Sequence, residues 1–166
     1  MIFTATVNYE MFIAMSNPIL RMDLPAGTVL IECFPDIAPN HVAQILDQAD
    51  KGLYDGTVFH RVIQGFMAQG GWTKQQLPQL KAEFNNYAHT EGVCSMARTN
   101  DPNSASDQFF ICFNDARFLD NQYTVWGKVI YGMQHVHNGI QKGEPPQFPT
   151  PIVRMRPLKL ELGNFK

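Results

Sequence analysis

The feature that most constrains this chain is a series of short apolar runs, rich in β-branched and aromatic residues and broken by Gly, Pro, Asn or Asp. Residues 19–24 and 28–34 flank Pro25-Ala26-Gly27, a hairpin signal. Residues 57–63 and 66–70 flank Gln64-Gly65, and residues 92–97, 108–113 and 124–130 are further strand candidates. Residues 153–162 alternate, but Val153 and Met155 lie on one phase and Leu158, Leu160 and Leu162 on the other. A bulge at Pro157 would reconcile the two phases. Two segments carry a helical period instead. Residues 39–51 place Val42, Ile45, Leu46 and Ala49 on one face, with Pro39 in the first turn and Gly52 beyond the end. Residues 133–142 repeat Met133, Val136, His137 and Ile140 and stop at Gly143. Parallel α/β winding needs a helix between most strands. The expectation is therefore an antiparallel sandwich or barrel, and the pattern alone does not choose between them.

A length of 166 residues suits one domain. The chain is 45% hydrophobic and 17% charged, enough apolar matter for a sizeable core and too much for disorder. The net charge is −2 and no two Lys or Arg are adjacent, which argues against nucleic-acid or anionic-membrane binding. No apolar stretch reaches the ~18 residues of a membrane-spanning helix. Residues 1–15 are apolar but lack a basic start, and Glu10 interrupts them, unlike a signal peptide. The expected location is cytoplasmic. Cys33, Cys94 and Cys112 are odd in number and show no CxxC spacing. They are expected as buried free thiols, not as a disulfide or a zinc site.

No nucleophile elbow, HExxH motif or phosphate loop occurs. His135 and His137 stand at i and i+2 of a helix, so they do not converge on a metal. His41 and His89 read as surface or hydrogen-bonded residues. Asp107 and Asp115 read as solvated strand flanks, and Asn100-Asp101-Pro102-Asn103-Ser104 as a turn-rich connection. The segment Phe59-His60-Arg61-Val62-Ile63-Gln64-Gly65-Phe66-Met67-Ala68-Gln69-Gly70-Gly71 stands apart. In a strand over residues 57–63, Arg61 shares a face with Phe59 and Ile63. A charge on an apolar face is costly unless it is paired or used. Two readings stay open: a buried Arg satisfied by backbone carbonyls, or a charge held in a hydrophobic pocket.

That segment resembles the cyclophilins. So do Ser95-Met96-Ala97 followed by Gln108-Phe109-Phe110-Ile111, and Phe118-Leu119-Asp120 followed by Tyr123 and Val125-Trp126-Gly127-Lys128-Val129. The likeness runs from about Ile19 to Leu162, and Met96-Ala97-Arg98-Thr99 is similar to bacterial members. The resemblance implies an eight-stranded antiparallel barrel capped by two α-helices, with residues 19–166 as the domain and 1–18 as an extension. It implies peptidyl-prolyl cis/trans isomerisation of proline-containing peptides and unfolded proteins, assisting folding without a cofactor or metal. Arg61 would be catalytic. Phe66, Met67, Gln69, Ala97, Arg98, Thr99, Phe110 and Leu119 would line the groove, and His60, Ile63, Gln108, Phe118 and Tyr123 match neighbouring positions.

Departures from the family pattern carry expectations of their own. Phe118 stands where many eukaryotic members have Trp, and Tyr123 where they have His. Binding of cyclosporin, the family's inhibitor, is therefore expected to be weak. Arg98-Thr99 replaces Asn-Ala. After Gly71, where members carry a Gly-rich loop, this chain has Trp72, Lys74, Gln75 and Gln76. That loop is expected to gate and narrow a second pocket. The apolar segment 1–15 is expected to pack on the barrel or on a second subunit, giving self-association. The rival functions are a proline-peptide binding module with little catalysis, and a self-assembling structural protein.

Overall fold

The computed structural model describes residues 17–158. The expectations for residues 1–15, and for Leu160 and Leu162, fall outside those residues.

Strands β1 (Ile19–Leu24) and β2 (Gly27–Cys33) form the expected hairpin, with Leu24 opposite Gly27 so that only Pro25 and Ala26 turn the chain. Then follow α1 (Pro39–Asp50), β3 (Arg61–Ile63), β4 (Met67–Gly70), β5 (Val93–Met96), β6 (Phe109–Cys112), β7 (Val125–Tyr131), α2 (Met133–Gly139) and β8 (Arg154–Pro157). All strand pairings are antiparallel, in the order β3-β4-β6-β5-β7-β2-β1-β8. Bridges from Val62 to Gly143 and from Val58 to Pro151 tie β3 and its approach to the chain leading into β8. They roll the sheet into a barrel. Helix α1 packs against β8 and α2 against β2, so the two helices cap it.

Helix α1 begins without help from its own N-cap, because Ala38 has no side chain that can accept a bond. Glu83 supplies it from another loop. Its carboxylate accepts from the Asn40 N–H at 3.2 Å and the His41 N–H at 2.8 Å, where the helix dipole also favours an anion.

The barrel core includes a cluster of rings. Phe109 lies edge-on to Tyr54, Phe59 and Trp126, with centroids at 5.7, 6.3 and 5.8 Å. Gly71 lets the chain pass this cluster. Its φ is +79°, and a Cβ there would stand 2.7 Å from the Phe109 ring.

Strands β5 and β6 are buried at every residue and β4 at all but Gln69, unlike a strand with one face in water. Alternation divides their side chains between two apolar layers. Ala68, Cys94, Met96, Phe109 and Ile111 enter the barrel core, whereas Met67, Val93, Phe110 and Cys112 join a second cluster on its outer side. That outer layer makes a local concavity possible on the barrel surface.

Three local expectations are corrected. Regular pairing within residues 57–63 starts only at Arg61, because the Phe59 N–H is drawn to the Thr150 carbonyl at 2.9 Å. Phe59 is fully buried in the core and does not share a face with Arg61. Helix α2 stops at Gly139, since Ile140 turns extended to bury itself in the core and the Lys142 ammonium bonds the His137 carbonyl. Register from β1 to β8 is continuous through Pro157, so no bulge lies there. The break in alternation falls before β8: Val153 is 55% exposed although Ile152 and Met155 are fully buried. Pro157 fits because β8 is an edge strand in the sheet order.

Candidate active site

Register builds the site. Arg61 of β3 sits opposite Gln69 of β4, Gln69 opposite Phe110 of β6, and Phe110 opposite Ser95 of β5. Four residues distant in sequence therefore form one row across the outer face. The neighbouring row is Ile63, Met67 and Cys112. A strand pair carries its side chains on a shared face, so the row needs no further device to bring a charge, an amide and a phenyl ring together.

Arg61, Phe66, Met67, Gln69, Ala97, Arg98, Phe110, Leu119 and Tyr123 enclose a concavity of about 190 Å³. Its floor is apolar: Met67, Phe110 and Leu119 belong to the outer cluster, with Phe66, Ala97 and Tyr123 packed on it. The Phe110 and Tyr123 rings meet edge-on at 5.8 Å. The Arg98 guanidinium forms a fixed wall, lying 4.6 Å from the Tyr123 ring and donating to the carbonyls of Gln122 and Thr99. Gln69 Nε2 donates to Gln108 Oε1 at 3.1 Å.

Arg61 takes neither of the forms left open above in full. Its side chain is 49% exposed, and it is held by a carboxylate, not by backbone carbonyls: Nε donates to Glu144 Oε1 at 2.9 Å. It borders the apolar floor without being buried in it.

A second concavity of about 180 Å³ adjoins the first and shares Gln69, Ala97 and Arg98 with it. Thr99, Ser104, Ser106, Asp107 and Gln108 complete its lining. Trp72, Lys74, Gln75 and Gln76 are not among its lining residues. The Asp107 carboxylate accepts from the Thr73 N–H at 2.9 Å and the Thr73 hydroxyl at 2.8 Å, which anchors the loop. Trp72 rests edge-on against His60 with Lys74 over its ring. Asp107 itself is buried, not solvated. The connection 100–104 is likewise more than a turn, since the Ser104 hydroxyl bonds the N–H and hydroxyl of Thr99. Sequence reading missed Ser104, Ser106, Asp107 and Glu144, because short polar residues in loops carry no periodic signal.

The remaining candidates lie at the margins. Ile63 packs into the outer apolar layer, and Phe118, 67% exposed, leans on Phe66 at 5.5 Å as a rim. His135 and His137 diverge: the His135 ring fills the space beside Gly27, and His137 bonds Glu91. Cys33, Cys94 and Cys112 are buried free thiols, and burial pushes Cys33 and Cys112 up to about 12.

Beneath the floor, His89 stacks on Phe110 with centroids 6.1 Å apart and is fully buried. Its Nδ1 meets Asp120 at 2.9 Å and its Nε2 meets the Ser95 hydroxyl at 2.9 Å. His41 is buried in the same manner against Glu83 at 2.6 Å. In both, burial lowers the imidazole below its ordinary range and outweighs the carboxylate that pulls it up. Burial also pushes Asp120 up, but bonds from Arg117 and from the His89 N–H and ring overcome it and bring the carboxyl to about 2. A group held low in the folded state binds fewer protons there than in the unfolded chain, so stability is full above the unfolded value and declines as pH falls below it. We expect the melting temperature to drop as pH falls through about 6.5, the histidine stage, and again below about 4, the Asp120 stage. Thermal melts from pH 8 to 3 check this, and a flat melting temperature between pH 7 and 5 would refute the histidine stage.

Sequence and fold are shared with known proteins. Residues 19–158 match the family profile described as cyclophilin type peptidyl-prolyl cis-trans isomerase/CLD. A probable peptidyl-prolyl cis-trans isomerase of Brucella abortus is 45% identical over 139 residues, covering 74% of this chain and 70% of that protein. Peptidyl-prolyl cis-trans isomerase B of Escherichia coli is 40% identical over 125 residues, covering 66% of this chain and 76% of that protein. The crystal structure of a cyclophilin from Hirschia baltica superposes with a TM-score of 0.78 at 35% identity, over 82% of this chain and 72% of that one. A cyclophilin-type isomerase of Cryptosporidium parvum, solved in the presence of the dipeptide Ala-Pro, shares the fold at 24% identity with a TM-score of 0.78, over 86% of this chain and 99% of that one.

Proposed function

The chain belongs to the cyclophilin-type peptidyl-prolyl cis-trans isomerases, and from that premise we propose that the groove beside Arg61 is where the X-Pro bond is turned. The observation that carries this reading is a permanently charged guanidinium at the edge of an apolar concavity floored by Met67, Phe110 and Leu119. The proline ring would rest on Phe66, Met67, Phe110 and Leu119.

The chemistry suits those residues. Amide resonance sets a rotation barrier of about 20 kcal/mol. Twisting the bond localises a lone pair on the prolyl nitrogen, which becomes pyramidal and can accept a hydrogen bond. Arg61 would donate to it, an interaction available only in the twisted state and hence one that lowers the barrier. The Arg98 peptide N–H and carbonyl make no hydrogen bond among the described residues, so they are available to pair with the substrate backbone. Gln69 would hold the substrate carbonyl beside them. The second concavity would receive a side chain that precedes the proline. Its polar lining from Thr99, Ser104, Ser106 and Asp107 favours polar groups there. Isomerisation of a chromogenic X-Pro peptide, read by protease coupling or by exchange NMR, tests the reading. A folded protein that binds the peptide without accelerating its isomerisation would overturn it.

Residues 19–166 would form the isomerase domain and 1–18 an extension, supported by a family match that begins at residue 19. Its clients would be proline-containing peptides and unfolded proteins. A cytoplasmic location is supported by three free thiols kept buried and unpaired. Among the described residues no helix is long and apolar enough to cross a membrane.

Phe118 sets the expectation for cyclosporin. Its ring lies at the rim and has no N–H to donate, where an indole would offer one. Phe118→Trp should tighten cyclosporin binding by about 1–2 kcal/mol through the added bond and contact area. Equal affinities by calorimetry would show that the rim position contributes nothing.

A further inference from the structure

We infer that Glu144 is the positioning residue for Arg61, holding the guanidinium by Nε and leaving its two terminal nitrogens for the substrate. This rests on the reading of Arg61 as the catalytic donor.

The contact itself is short and specific: Arg61 Nε to Glu144 Oε1, 2.9 Å, across 83 positions of sequence. Among the described residues no other group bonds the Arg61 side chain. Gln69, directly opposite Arg61 in the sheet, bonds Gln108 and not Arg61. Glu144 therefore restrains a side chain that would otherwise sample many rotamers at an exposed strand.

The backbone explains how an exposed carboxylate can do this. Gly143 and Val62 exchange two hydrogen bonds, each 2.8 Å, so the residue before Glu144 is clamped to the residue after Arg61. Gly143 has φ +145°, and a Cβ there would lie 2.6 Å from Pro146 and 2.9 Å from the Pro145 carbonyl. The clamp thus demands glycine. Pro145 and Pro146 then stiffen the exit, each with a fixed φ. Glu144 is presented from a rigid platform, and its place follows from the bridge, not from its own burial.

Stability does not account for the pair. The side chains are 49% and 54% exposed, and ion pairs of that exposure contribute little to folding. What the pair supplies is a preset orientation. A donor already aimed needs no rotamer search when the prolyl nitrogen pyramidalises, and misplacement of a catalytic group costs rate more than binding. Bonding through Nε is suited to this, since it leaves the forked end open.

The test is a double-variant cycle on the full chain. Glu144→Ala should lower kcat/KM by about 5–20-fold, chiefly in kcat, with the melting temperature unchanged. Glu144→Gln, which keeps an acceptor, should recover a large part of the loss. In an Arg61→Ala background, Glu144→Ala should add nothing. Nitrogen-15 NMR gives a readout independent of turnover: the Arg61 Nε–H signal should be protected from exchange in the unaltered protein and lose that protection in Glu144→Ala. Unchanged kcat in Glu144→Ala, independent losses in the double variant, or an Nε–H signal indifferent to Glu144 would each overturn the inference while leaving the reading of Arg61 intact. A fully active Arg61→Ala would overturn both.

Discussion

Arg61→Ala should lower kcat/KM for an X-Pro peptide by about 10²–10³, the scale of losing one donor to a developing transition-state charge. The loss should fall on kcat more than on KM. The proline-binding floor of Phe66, Met67, Phe110 and Leu119 stays in place, so ground-state binding survives. Arg61→Lys should rescue little, because an ammonium on a flexible stem cannot be held at one nitrogen while donating from two others. The fold should be unaffected: Arg61 is half exposed, and its partner Glu144 is exposed as well. Near-normal kcat/KM in a folded Arg61→Ala protein would remove the chemical role from this residue.

Phe109→Ala should destabilise the domain by about 3–5 kcal/mol, the range for emptying a buried aromatic site. The site has little freedom to collapse. Phe109 is fully buried and meets Tyr54, Phe59 and Trp126 edge-on, and Gly71 exists in part to clear its ring. Those rings belong to separate segments, so closing the void would require the barrel wall itself to move. For a domain of this size the melting temperature should fall by about 6–20 °C, visible in calorimetry. A loss under about 1 kcal/mol would mean that the core repacks around the gap. The adjacent residue, Phe110, sits on the other face of the same strand and belongs to the site layer, so one step along β6 separates stability from function.

Much of this was legible in the order of residues. The hairpin of β1 and β2 followed from Pro25-Ala26-Gly27, and α1 from its 3.6-residue apolar stripe between Pro39 and Gly52. These are local signals: the turn and the helix each depend on residues a few positions apart. The family motifs around Arg61, Gln108 and Phe118 supplied the remaining outline, including the barrel that pattern alone left open. The phase of Phe59 was misjudged because alternation assumes a strand that begins where the apolar run begins. Pairing of residues 57–59 with residues 150–152 moved that boundary. His41 and His89 read as surface or hydrogen-bonded, and the structure makes both buried and hydrogen-bonded, whereas Asp107 reads as solvated and is buried. Their partners Glu83, Asp120 and Thr73 lie 42, 31 and 34 positions away.

By itself, then, the order of residues determined the β1–β2 hairpin, the apolar stripe of α1 and the motif around Arg61. Local propensity and period depend only on near neighbours, and the chain carries those wherever it goes. The tertiary structure alone decided which charges meet. Register brought Gln69, Phe110 and Ser95 into the row of Arg61, the stacking of β4, β5 and β6 between two apolar layers made a floor beneath it, and the clamp from Val62 to Gly143 set Glu144 against its guanidinium. Each of these depends on long-range pairing, in which a shift of one residue would send every side chain to the opposite face of the sheet.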